Sequence, residues 1–493
     1  MKTPPCLRTT LLALVFAVSG LHAESLQWNA PSGGDYLDPS YWLPAQTPGT
    51  ADGTVFNLSA AEAYVVTLSD DATNQSLWVV NDRLTLDLNG QSLALTDTAA
   101  SGDGERGLSL ATKSLSVAEL TIRGGGQLTT QTFYAAALGT AKARLTVSGS
   151  GTIWTHEGTT TAASSLAWKG DASLRVEAGA ALDFNRLYLS GSVGSKAELL
   201  VTGSGTTASF SNRIEVGYRS TATLRVEQQA SLTAGRLVVG SLGSKTEANG
   251  TVTGVNSLLS VTTLDVGTAD TTASLKVEDG GKLTVSGVTG IATSTDASRV
   301  GSGRLEVRGT GSRFEAGEAI HVAGAGGVAG VSSGTLLLAD GGLLEGYQDA
   351  VLYIYENGTL SMERDATFRV RELQLKEGAG FAVALNSGLT LGEVREDLLI
   401  ETDVALQLTL GSGFSATVGD SIALIEYGGE AAGAFAGLGE GAVLNVGGYQ
   451  FQISYGSGSN DAVRLEVQAI PEPEPALALL GAGIVLLAAR RFR

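Results

Sequence analysis

The chain has 493 residues, of which 66 are glycine, 43% are hydrophobic and one is cysteine, and its formal net charge is −18. The hydrophobic fraction excludes a wholly disordered chain, and the single cysteine excludes an intramolecular disulfide. The acidic charge disfavours nucleic acid as a partner. Abundant glycine among β-branched residues instead favours short strands separated by tight turns.

The first 23 residues have the features of a secretory signal peptide. Lys2 and Arg8 supply a positive start, residues 11–18 an apolar segment, and Ala23 the small residue before the expected cleavage site. We therefore expect the mature protein to be secreted across the inner membrane. Cys6 lies before the apolar segment, so the secreted chain would contain no thiol.

Residues 24–80 are expected to form an N-terminal capping region. Trp28, Tyr41 and Trp42 lie close together there, among four prolines. A solenoid end left open is an edge that promotes aggregation, and a cluster of large apolar side chains would cover it. The same rings could instead stack on sugars, although capping is the simpler interpretation.

A repeat with spacings of 25 to 31 residues organises the middle of the chain. Short alternating strands without helical periodicity, repeated at this length, predict one coil of a β-solenoid per repeat. We therefore expect an all-β fold, a right-handed parallel β-helix over residues 81–375. A β-propeller built on pairs of repeats is the alternative. The apolar centres of the repeats are Ile122, Val147, Val176, Val201, Val226, Val252, Val277, Val307 and Leu338.

Alternate repeats carry a glutamate directly after the strand core, and these residues form a candidate ligand-binding ladder. In a solenoid they would lie on one face, about 10 Å apart, and could bind cations or a sugar polymer. A basic residue two positions earlier in each repeat could instead neutralise each glutamate and leave only a solvated surface. The glutamates are Glu177, Glu227 and Glu278, and the basic residues are Arg175, Arg225 and Lys276.

No catalytic, cofactor or metal site is predicted. His156 and His321 are far apart in sequence and lack neighbouring ligands, so we expect both at the surface or at a rim. A glycosidase or polysaccharide lyase is the enzymatic alternative. It would need two carboxylates about 5–9 Å apart, and no acidic cluster interrupts the repeat to supply them.

The C-terminal part of the chain divides into two segments. Residues 376–468 have the pattern of antiparallel strands and are expected to form a C-terminal β cap. Residues 469–493 contain a Pro-Glu-Pro run, the apolar segment 476–489 and terminal arginines. Fourteen helical residues span about 21 Å, short of the roughly 30 Å hydrocarbon core. We expect a short transmembrane helix that is inserted transiently.

Two parts of the sequence resemble known families. The stretches WN and DPSYW, the units VSGSGTIW and LRVEAGA, and the ending GDSIALIEYGG resemble β-helical passenger repeats of Gram-negative autotransporters. The last 23 residues resemble the PEP-CTERM sorting tail, and PEPEP leaves two registers of its motif open. The residues that match the tail are Pro471, Glu472, Pro473, Arg490, Arg491 and Arg493.

The tail resemblance implies processing by an exosortase, a membrane-embedded protease or transpeptidase, in bacteria that make exopolysaccharide. Exosortase and exopolysaccharide are therefore the expected partners. Together these features predict a non-catalytic structural or adhesive protein of the cell surface, envelope or extracellular matrix. A carbohydrate-binding or polysaccharide-degrading β-helix is the alternative.

Overall fold

The computed structural model describes residues 25–60, 62–98, 107–158, 164–241, 246–268, 270–294, 300–325, 328–346, 349–386, 391–456 and 461–470. Across these residues the secondary structure consists of strands and one short 3₁₀ turn, Pro39–Tyr41. This confirms the all-β prediction, and the parallel stacking described below is that expected of a β-solenoid. The signal peptide with Ala23 and the sorting tail lie outside the described residues.

Each coil offers three strand positions, which we call faces one, two and three. Face one is a 15-stranded sheet in which every pair is parallel. At a spacing of about 4.8 Å per strand, this sheet is roughly 70 Å long. Its strands are Gly34–Asp35, Tyr64–Thr67, Arg83–Asp87, Val117–Arg123, Lys142–Ser148, Asp171–Glu177, Lys196–Thr202, Thr221–Glu227, Thr246–Thr253, Thr271–Glu278, Ser302–Arg308, Ser333–Ala339, Gly358–Met362, Gly380–Leu385 and Ala405–Leu410.

Faces two and three follow face one in each coil. The strands of face two are Ala72–Asn74, Ser92–Leu95, Gly126–Thr130, Thr152–His156, Lys282–Val285, Arg313–Ala316, Leu343–Gly346, Thr367–Val370, Gly392–Val394 and Ser421–Tyr427. Those of face three are Ser25–Trp28, Gly53–Phe56, Ser76–Val79, Leu108–Leu110, Phe133–Ala135, Ser164–Leu166, Thr289–Ile291, Ile320–Val322, Val351–Ile354, Glu372–Leu375, Leu398–Ile400 and Ala431–Gly433. Four strands run through both faces: Ala181–Leu189, Thr207–Val216, Ser231–Val239 and Leu258–Val266.

The predicted core pattern lies inside face one. In Asp171–Glu177 the side chains of Ala172, Leu174 and Val176 are buried, while the alternate residues face outward. Leu174 lies opposite Leu199 of the next coil. The inward side chains therefore stack from coil to coil into one continuous apolar core.

The N-terminal end is both coil and cap. Ser25–Trp28 already pairs in parallel with Gly53–Phe56, so stacking begins within residues 24–80. Trp42–Leu43 pairs antiparallel to the outer strand. The side chains of Trp28 and Trp42 are buried, with ring centroids 5.0 Å apart. Large rings thus fill the first coil, as its aromatic composition suggests.

At the C-terminal end the parallel pairing continues past residue 375 to Ala431–Gly433. The chain then turns antiparallel, in the region where the sequence pattern indicates hairpins. Asp461–Ala469 pairs with Ser421–Tyr427 and with Tyr449–Ser454, which pairs in turn with Val443–Val446. Two further short strands, Gly324–Ala325 and Val328–Ala329, form a small antiparallel hairpin.

Candidate functional site

The structure brings the three predicted glutamates into one column on the outside of face one. Glu177 lies opposite Thr202, which lies opposite Glu227. Glu227 lies opposite Thr253, which lies opposite Glu278. The glutamates thus alternate with threonines and recur every second coil, about 10 Å apart.

The first two glutamates of this column are neutralised within their own strands. Arg175 forms an ion pair with Glu177, and Arg225 Nη2 lies 2.5 Å from Glu227 Oε2. Thr202 Oγ1 also donates a hydrogen bond to Glu227 Oε1, at 3.4 Å. Residues two apart in a strand point to the same side, which explains why the pairs form locally. A ligand-binding role for Glu177, Glu227 and Glu278 stays a prediction.

A second charged cluster on face one links successive coils. Glu306 is bound by Arg304 and Arg308 of its own strand, and Arg308 Nη1 also lies 2.8 Å from Asp340 Oδ2 of the next coil. Burial alone would raise the pKa of Glu306, but hydrogen bonds from both arginines outweigh it and lower that pKa. The sequence analysis missed this cluster, although the pattern Arg-x-Glu-x-Arg over residues 304–308 was a local signal for it.

The prediction that His156 lies at the surface or a rim is wrong. Its side chain is 1% exposed and points into the coil. Nδ1 lies 2.9 Å from Thr130 Oγ1, and Nε2 lies 2.5 Å from Ser164 Oγ. Burial lowers the pKa of the imidazole to about 4, so the ring is neutral at neutral pH. Alternation from the inward Trp154 was the signal that could have placed His156 inside.

The contact between His156 and Ser164 does not form an accessible catalytic pair. Both side chains are enclosed, and Phe184 packs against the imidazole with ring centroids 5.1 Å apart. Thr130 also accepts a hydrogen bond from Trp154 Nε1, at 3.0 Å. The four polar groups therefore satisfy one another inside the core, which is what buried polar atoms require.

His321 lies on a different face and is half-buried. Its ring stacks on Tyr353, with centroids 5.0 Å apart, and its Nδ1 lies 3.2 Å from the Tyr355 hydroxyl. Burial lowers the pKa of this imidazole as well. The structure does not bring His156 and His321 together, since one belongs to face two and the other to face three.

The aromatic residues at the N-terminus take the capping arrangement. Trp28 Nε1 donates to the Ala30 carbonyl oxygen, and Trp42 Nε1 donates to the Tyr36 carbonyl oxygen, both at 2.7 Å. Tyr41 is half-buried, with its ring centroid 5.4 Å from that of Trp28. The two indoles face inward and are not available to a sugar.

The described residues contain no group of three or more His, Cys, Asp or Glu side chains arranged to hold a metal ion. Over the same ranges, no helix is long and apolar enough to cross a membrane. Comparison with known protein families and with curated proteins finds no match for this chain.

Proposed function

We propose that this protein is a secreted, non-catalytic structural or adhesive element of the envelope or extracellular matrix of a Gram-negative bacterium. The observation that carries the proposal is the unbroken 15-stranded parallel sheet of face one. Its strands are joined by backbone hydrogen bonds along the whole sheet, which makes an extended and stiff body. A rod of this kind presents one long surface to a partner.

The surface charges support the same proposal. Carboxylates such as Glu227 and Glu306 are occupied by neighbouring arginines. General acid–base catalysis instead needs a carboxyl group with a raised pKa beside a cleft, and Glu306 has a lowered one.

Sorting is the second part of the proposal. The charged and apolar pattern of residues 1–23 supports export, and Pro471, Glu472 and Pro473 support recognition by an exosortase-type protease. We further propose that residues 476–489 insert into the membrane as a short helix before processing, and that the coil is right-handed.

Mass spectrometry of the native C-terminus tests the sorting proposal. We expect protein recovered from outside the cell to end near the Pro-Glu-Pro motif, without the terminal arginines. Extracellular protein that still ends at Arg493 would contradict exosortase processing.

A polysaccharide panel tests the non-catalytic proposal. The full-length protein is incubated with neutral and anionic polysaccharides, and reducing ends and unsaturated products are measured. We expect neither product above the level of a heat-denatured control. Release of either would favour a glycosidase or a lyase.

A further inference from the structure

A row of basic side chains follows the corner between face three and face one. We call these residues the basic ridge. All six are exposed, in a chain whose net charge is −18. The ridge consists of Lys113, Lys142, Arg144, Lys169, Lys196 and Arg219.

The ridge is periodic because the coils are in register. Lys142 lies opposite Asp171, which lies opposite Lys196, so the two lysines are two coils and about 10 Å apart. Lys169 and Arg219 occupy turns that are also two coils apart. Lys169 N donates to the Ala136 carbonyl oxygen, and Arg219 N donates to that of Ser190.

Three charges of the ridge are not neutralised as those of face one are. Within the described residues, Lys142, Lys169 and Lys196 have no carboxylate oxygen within 4 Å, whereas Arg175 and Arg225 each hold a glutamate. Asp171 and Glu198 are the acidic residues of the adjoining groove, and both are exposed. The lysines are therefore available to an external anion.

An aromatic ring precedes two of the basic residues in the turns. Trp168 packs against Tyr134, with ring centroids 6.3 Å apart, and Tyr218 packs against Tyr188 at 5.0 Å. Both outer rings are only partly buried. The Arg219 guanidinium lies 5.3 Å from the centroid of the Tyr218 ring. Anchored rings with an exposed part can pack against the apolar faces of sugars.

A groove of about 410 Å³ runs beside the ridge on face one. Small side chains at Ala143, Ala172 and Ala197 form its floor, and Lys142 and Lys196 stand along its wall. It crosses several coils, so it suits a linear chain better than a compact ligand.

We propose that the basic ridge and its groove bind a linear polysaccharide that carries carboxylate or sulfate groups. The lysines and arginines supply charge-assisted hydrogen bonds to the anions, and Trp168 and Tyr218 supply surfaces for the sugar rings. Nucleic acid is disfavoured because the net charge of the chain repels a dense row of phosphates. This inference rests on the proposed adhesive function and names its ligand class.

Binding of the full-length protein to alginate, a polyuronate, tests the proposal, with neutral dextran and double-stranded DNA as comparisons. We expect saturable binding to alginate that weakens as salt concentration rises, and at least about tenfold weaker binding to dextran and DNA. DNA binding as tight as alginate binding would overturn the assignment to a polysaccharide.

Matched triple variants test the site. The ridge variant is Lys142→Ser, Lys169→Ser and Lys196→Ser, and the control is Lys276→Ser, Arg369→Ser and Arg464→Ser, which removes three exposed charges elsewhere. The ridge variant should bind alginate at least about tenfold more weakly, with an unchanged unfolding midpoint, and the control should bind nearly as wild type.

Equal binding by both triple variants, or equal loss in both, would overturn the assignment to the ridge. Trp168→Ala should weaken alginate binding without changing its salt dependence, because the lost contact is uncharged. Cleavage of alginate during these measurements would contradict the non-catalytic function and leave the binding site intact, so the two failures are distinguishable.

Discussion

The interior of the solenoid differs between the coils around residue 156 and those around residue 261. One inward column of face two begins with Thr130, His156 and Phe184. It continues through Phe210 to Ala234 and then to a valine of the next coil, Val261. Polar and aromatic groups thus give way to small aliphatic ones within a few coils, although the strand register is unbroken.

The change of interior coincides with a change in coil length. In the coil of His156, faces two and three are separate strands, Thr152–His156 and Ser164–Leu166, whereas Ser231–Val239 runs through both faces. Val147 and Val176 are 29 residues apart, compared with 25 for Val201 and Val226. A longer coil therefore accommodates larger side chains at its corner. Each column needs only to match the volume of its neighbours, as close packing demands.

Removing an aromatic side chain from the first interior should have the largest effect. Trp154 lies with its ring centroid 4.8 Å from those of Phe133 and Phe184. We expect Trp154→Ala to lower the free energy of unfolding by about 3–5 kcal/mol. Urea denaturation followed by circular dichroism measures the loss. Trp154→Phe is the control and should lose only the hydrogen bond to Thr130, about 1 kcal/mol. Equal losses in the two variants would contradict this account.

Acidification should destabilise the first interior selectively. His156 has a pKa of about 4 when folded and an ordinary value of 6.5 when unfolded. Between these values the unfolded chain binds a proton that the folded chain does not, so stability falls as pH falls. The loss should reach about 2 kcal/mol at pH 5 and roughly 3 kcal/mol below pH 4.

The control for this titration is His156→Phe, which continues the column of Phe184 and Phe210 without an ionisable group. Urea denaturation at pH 7.5, 6 and 5 should show a shallower decline for the variant than for the wild-type protein. Parallel declines would mean that His156 does not cause the pH dependence.

Overfilling the second interior should have an intermediate effect. Ala234 lies opposite Phe210 on one side and Val261 on the other. We expect Ala234→Phe to lower the free energy of unfolding by about 1–3 kcal/mol, because the shorter coil has no room for another ring. An unchanged urea midpoint would show that the coil can widen without the extra residues of the His156 coil.

A change on the outside of the second region should have the smallest effect. Arg225 is half exposed and lies opposite Leu200 of the preceding coil. Arg225→Leu removes the ion pair with Glu227 and should change the free energy of unfolding by less than about 1 kcal/mol. Glu227→Gln serves as the matched control. A loss larger than that of Ala234→Phe would reverse the contrast between interior and exterior.

The repeat was predictable because its signal is local. Val147, Val176 and Val201 recur at the centre of an alternating strand, and all three are buried. Alternation within one strand is enough to assign such residues to the inside. The column of Glu177, Glu227 and Glu278 followed from the same alignment.

Other features depend on contacts that no single strand displays. The partners of His156 come from the previous coil and from the following strand, Thr130 and Ser164. Lys142 and Lys196 join one ridge only because an intervening coil sets them two strands apart. A one-residue change in register would turn these side chains to the other face, so the sequence alone could not place them.

The ion pairs within single strands have a consequence for how such a chain can change its length. Arg175 with Glu177 and Arg225 with Glu227 are separated by 50 residues, which is two coils. Duplication or deletion of that segment in the gene would carry a complete pair with it and would leave no orphaned charge. The pair between Arg308 and Asp340 spans two coils, so the same event there would break it. Self-contained coils are therefore the segments in which this molecule can lengthen or shorten by inheritance.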